Sequence, residues 1–135
     1  MVDLPAHTIA QQSYSRCLRA ADFFSHFYAR LLASDPAVPP MFADTEFPRQ
    51  HKLLQHGLGL LLSYAKSSDA VLLDRLAARH SAVGIDVPPP MYDLFVQSLV
   101  DTVREHDPRF DASIEAAWRS AIQPGIEYMQ ARYDP

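Results

Sequence analysis

A chain of 135 residues fits one domain, residues 1–135, and is long enough to bury a core without disulfide staples. Hydrophobic residues make up 48% and charged residues 21%, which excludes a disordered body. The net charge of −4 and a scattered set of 12 Lys and Arg exclude a nucleic-acid partner and an anionic membrane surface, both of which need clustered positive charge.

Apolar residues recur at three and four positions, prolines gather in a few breaks, and only four glycines occur, so an all-α domain is expected. The first helix spans Thr8 to about Leu18, with Thr8 as its cap and Ile9 and Tyr14 among its apolar positions. Arg19 to Ala33 forms the second, with a wide stripe of Phe23, Phe24, Phe27, Tyr28, Leu31 and Leu32. Ser34-Asp35-Pro36 ends it, and Pro36, Pro39 and Pro40 confine the next stretch to turns or one short helix. A long helix starts near Thr45, with Thr45 as cap, Pro48 in the first turn, and a stripe of Phe47, Leu54, Leu58, Leu61 and Leu62. Another runs from Asp69 to about Ala82 with Leu72, Leu73, Leu76 and Ala77 inward. Gly84 and Pro88-Pro89-Pro90 break the chain, and Met91 to His106 follows as a helix burying Leu94, Phe95, Leu99 and Val103. After Asp107-Pro108, Asp111 opens a last helix through Trp118, Ile122, Ile126 and Met129 to Tyr133, which Pro124 should kink or leave short of one helical hydrogen bond.

The single cysteine, Cys17, cannot form an internal disulfide and reads as a buried structural thiol in a reducing compartment. Residues Met1 to Ala10 have no basic segment followed by an apolar one, and the longest apolar run, Leu58 to Leu62, falls far short of the ~20 residues of a membrane span. A cytoplasmic protein is expected. No Gly-rich phosphate loop, HExxH pair or CxxC occurs, and His51 and His56, five apart, are poorly spaced to share a metal on a helix.

Of the six histidines, His80 shares an inward face with Leu76, one turn earlier. A histidine on an apolar face needs partners for its ring nitrogens, and on these grounds alone it reads most simply as a satisfied core residue. The longer segment Leu76-Ala77-Ala78-Arg79-His80-Ser81-Ala82-Val83-Gly84-Ile85, then Pro88 to Tyr92, resembles the proximal region of bacterial and neuronal-type globins. Upstream, the run Phe23 to Pro36, continuing to Met41-Phe42-Ala43-Asp44-Thr45, is similar to the second helix and following corner of bacterial and truncated globins. The resemblance covers about residues 9 to 133. It implies a globin-like fold of six to seven helices around haem b, with His80 as the iron ligand. It also implies Tyr28 as the distal tyrosine, Phe42 packing on the haem face, Gln50 at the distal position of the next helix and Leu54 one turn later. The carbonyl near Leu76 is the expected partner of the His80 ring, and Tyr92 is the aromatic that opens the following helix. Tyr92 or Glu127 could add to that partner, and Leu58, Phe95 and Leu99 are further pocket candidates.

Counting from Phe47, both Gln50 and His51 lie near the inward face. Gln50 shares a face with Leu54, whereas an inward His51 would bind the iron directly. The functions implied are reversible binding of dioxygen, nitric oxide or carbon monoxide for transport or storage, nitric oxide dioxygenation fed by an external reductase, or gas sensing through a partner protein. A monomer and a homodimer are both compatible with the apolar residues of the last two helices.

Overall fold

The computed structural model describes residues 4–79 and 88–132. Among the described residues seven helices follow one another: α1 (Ala6–Cys17), α2 (Phe23–Ser34), α3 (Val38–Met41), α4 (Phe47–Ser67), α5 (Val71–Arg79), α6 (Met91–His106) and α7 (Ala112–Ala131). No strand occurs among the described residues. The expected end of the fifth helix near Ala82, Gly84 and His80 itself lie outside them.

Local chemistry explains where the helices begin. Helix α1 starts ahead of Thr8, which is inside it rather than capping it, because the Pro5 carbonyl already accepts from Thr8 N at 3.0 Å and Ile9 N at 3.1 Å. Arg19 does not open α2. Short-range bonds from Arg19 N to the Arg16 carbonyl and from Ala20 N to the Cys17 carbonyl turn the chain into a corner, so α2 begins at Phe23. Thr45 is not the cap of α4. Its N–H closes a turn on the Phe42 carbonyl at 3.1 Å, and Glu46 takes the cap position with Pro48 in the first turn. The Asp111 carboxylate does cap α7, accepting from Ile114 N at 2.9 Å. Helix α7 continues through Pro124 as one element.

Helix α2 packs on α6, while α1 and α4 pack on α7. The core is centred on Trp118, Phe23, Phe27, Leu58, Leu99 and Ile122, all fully buried. Each such side chain contributes about 1.5–3 kcal/mol of burial. Helices α4 and α7 touch at Gly125, where an added Cβ would lie 2.5 Å from Leu61 Cδ2.

One polar network crosses this core. Trp118 Nε1 donates to Ser13 Oγ at 2.9 Å, and Ser13 Oγ donates to Asp107 Oδ2 at 2.6 Å. Arg16 donates to both Asp107 oxygens, at 2.7 and 2.8 Å, and Arg109 N donates to Oδ1 at 2.9 Å. Every buried side-chain polar atom among the described residues has a partner. Cys17 lies beside this network, and burial, with the Asp107 charge, pushes its thiol up to about 12, so it stays protonated and inert.

Candidate functional site

An apolar cleft opens between α2, the α3–α4 corner, α4, α6 and α7. Helix α2 contributes Phe27, Tyr28 and Leu31 because its apolar stripe is wide enough to face both the α6 interface and the cleft. The proline-rich turn carries Val38, Met41 and Phe42 across one end. Helix α4 supplies Gln50, Leu54, Leu58 and Leu61 at intervals of three and four, and α6 supplies Met91, Tyr92 and Phe95. Ile126 and Met129 of α7 close the back.

Two polar groups meet inside this lining. Gln50 Nε2 donates to Tyr28 Oη at 3.0 Å. Because the phenol oxygen accepts there, its own proton is available to a different acceptor. Tyr28 is only 4% exposed, and burial pushes its phenol up to about 12, against a smaller opposing effect of the Gln50 bond. It is therefore a neutral donor throughout the physiological range.

Aromatic neighbours fix the Tyr28 ring. Phe42 and Phe47 meet it at 5.6 and 5.4 Å, both inclined at 68°. His51 stacks on it at 5.5 Å with an interplanar angle of 11° and also stacks on Phe24 at 6.1 Å. The two residues that the helical period left open thus have different positions. Gln50 lines the cleft, and His51 is a half-buried spacer between Tyr28 and Phe24.

Tyr28, Phe42, Gln50, Leu54 and Tyr92 come together around one cavity, although they derive from four separate segments. Tyr92 is buried, and that burial pushes its phenol up to about 12. Leu58 and Phe95 line the cavity as well, but Leu99 belongs to the core behind it. Glu127 is exposed and accepts from Gln123 Nε2 at 3.0 Å, away from Tyr92. Leu76 lies within α5, and His80 lies outside the described residues.

Reading the sequence missed His56, which is exposed and borders the cleft beside Leu53. It sits two residues past Leu54 and off the apolar stripe, so periodicity gives no signal for it. Met41, Met91 and Met129 also escaped notice, since flexible methionines line irregular cavities as readily as they fill cores.

The lining suits a mainly apolar ligand. The walls are mainly aliphatic and aromatic, the buried Tyr28 phenol and the half-buried Gln50 amide form one polar spot, and exposed His56 at the rim marks an edge where polar groups can reach water.

The sequence matches the globin family model over residues 25–126. Among solved structures, the chain is similar to a Pseudomonas aeruginosa protein described as structurally highly homologous to a human haemoglobin. The two share 36% identity with a TM-score of 0.93, over 96% of this chain and 99% of that one. No curated protein matches the chain.

Proposed function

Because the chain belongs to the globin family, we propose that it holds haem b in the cleft described above and reversibly binds dioxygen there. His80 is the proposed iron ligand, and Phe42, Leu54, Leu76 and Tyr92 are the proposed contacts of the macrocycle. Haem supplies a ferrous iron at which dioxygen, nitric oxide or carbon monoxide can bind.

The observation that carries the reading is the Gln50–Tyr28 hydrogen bond, which joins a buried phenol to a half-buried amide in a mainly apolar cleft. A pocket that only had to exclude water would need neither polar group, since each costs free energy to bury. Gln50 fixes the phenol by donating to its oxygen, which leaves the phenol proton for a polar diatomic guest. The second amide N–H of Gln50 is a further donor. His51, Phe42 and Phe47 restrain the Tyr28 ring, so little side-chain entropy is lost when it donates. A donor facing partial negative charge contributes about 1.5–3 kcal/mol, which favours a polarised ligand over a non-polar one.

The test is a spectral titration of haem-loaded, reduced protein with dioxygen. The expected result is a stable oxygenated spectrum that reverts when the gas is removed. Immediate oxidation of the haem with no oxygenated species would overturn reversible binding as the function.

A further inference from the structure

Away from the cleft, the start of α2 meets the end of α6 at Asp22, His26, Glu105 and His106. The ligand atoms of Asp22, His26 and His106 all lie within 4.8 Å of one another. Asp22 and His26 are one helical turn apart, and the His26 and His106 rings face each other at 5.1 Å.

The proton count in this cluster is unusual. His106 Nδ1 lies 2.9 Å from the Thr102 carbonyl, which can only accept, so that nitrogen carries the proton. His106 Nε2 then presents a lone pair, 3.2 Å from Asp22 Oδ1. His26 Nδ1 contacts the Glu105 carboxylate, so it too carries a proton, and His26 Nε2 faces Asp22 Oδ2 at 3.3 Å. Arg30 donates to the same Glu105 carboxylate, which therefore acts as an acceptor. With both rings neutral, two imidazole lone pairs would converge on the Asp22 carboxylate, while Glu105 Oε1 also lies 3.7 Å from His106 Nε2. Neutral rings leave this arrangement without a donor, and a cation among the three groups satisfies all of them.

We propose that Asp22, His26 and His106 form a site for a divalent transition-metal cation of the zinc class. Two imidazoles and a carboxylate suit zinc, copper or nickel, whereas magnesium and calcium prefer all-oxygen sets. Metal–ligand bonds of about 2.0–2.1 Å in a tetrahedron give ligand–ligand edges of about 3.3–3.4 Å. His26 Nε2 lies 3.3 Å from Asp22 Oδ2 and His106 Nε2 lies 3.2 Å from Asp22 Oδ1, so the exposed carboxylate has to turn to bring one oxygen to both rings. The His26 side chain is 43% exposed and can swing to close the third edge. The outer partners are those of a metal-bound histidine: a backbone carbonyl on His106 Nδ1 and a carboxylate on His26 Nδ1. Asp22 is 57% exposed, so the fourth position is open to water. The cluster's nearby charges, Asp22, Glu105 and Arg30, sum to about −1, which favours a bound cation.

The test uses haem-loaded protein, treated with a chelator, dialysed and titrated calorimetrically with zinc chloride at about pH 7.5. One zinc per chain is expected, with no comparable heat from magnesium chloride. His26→Ala and Asp22→Asn, both at exposed positions, should each weaken zinc binding by more than about 100-fold. Glu105→Gln, one shell out, should weaken it by about 10- to 100-fold. His7→Ala, in α1 and outside both the cleft lining and the cluster, should leave it unchanged. Zinc should raise the melting temperature of the wild type but not that of Asp22→Asn. Wild-type protein that takes up no zinc, or folded His26→Ala and Asp22→Asn variants that bind it as the wild type does, would overturn the assignment. The latter result would mean that the cluster is held by protons on the two rings.

Discussion

Replacing Tyr28 by Phe removes one oxygen and leaves the ring among Phe27, Phe42, Phe47 and His51. The variant should fold, because those ring contacts survive and Gln50, half-buried in the lining, can turn toward another acceptor. What disappears is a neutral donor whose oxygen is held by Gln50 at 3.0 Å. A hydrogen bond to a partly anionic ligand contributes about 1.5–3 kcal/mol, so losing it should speed dioxygen release by about 10- to 150-fold. Gln50 can replace part of this loss by redirecting its amide, so Tyr28→Phe/Gln50→Leu should release dioxygen faster than either single variant, and less than additively if the pair acts as a unit. Stopped-flow displacement of dioxygen by carbon monoxide measures these rates directly. Release rates within about twofold of wild type in both Tyr28→Phe and the double variant would refute the role given to this pair.

The buried network makes a separate prediction. Asp107→Ala strips the partner from Arg16, Ser13 and the Arg109 N–H and should lower stability by about 3–5 kcal/mol in urea unfolding. Burial pushes the Asp107 carboxyl up, but Arg16, Ser13 and Arg109 outweigh it and hold the group below its usual range. Its contribution is therefore present above the ordinary carboxylate value, about pH 4, and is lost as the pH falls through the folded value. Asp107→Asn should remove that part of the acid dependence, seen as a flatter stability profile between about pH 5 and 2. Gly125→Ala should force Leu61 from its place between α4 and α7 and cost about 1–3 kcal/mol, read from the urea midpoint.

Local signals in the sequence carried much of the fold. Met91 and His106 bound α6 as expected, since Pro90 precedes it, Asp107-Pro108 ends it, and its apolar residues keep one period. The start of α2 was misplaced because residues 19–22 are acceptable in a helix, and only the bonds at the end of α1 show that they form a corner. Around the cleft, Tyr28, Phe42 and Gln50 were singled out only by the resemblance to globins, whereas periodicity alone could not separate Gln50 from His51. Their separation depends on how α4 sits against α2, where Gln50 donates to the Tyr28 hydroxyl and His51 stacks on its ring. Contacts between distant segments left no local trace. Ser13 meets Asp107 across 94 positions and Trp118 across 105, and His26 meets Glu105 across 79. Each of these residues looks like an ordinary surface or helix residue until the helices pack.

The proposed function rests on haem held through His80 in the cleft bearing Tyr28 and Gln50. The most direct measurement is the haem content and the ferric and ferrous visible spectra of His80→Ala beside wild type. The account predicts stoichiometric haem with an intense Soret band in wild type. It predicts loss of haem or a displaced spectrum in the variant, and recovery of the wild-type spectrum when imidazole is added. A His80→Ala protein that retains haem with the wild-type spectrum and needs no imidazole would contradict it.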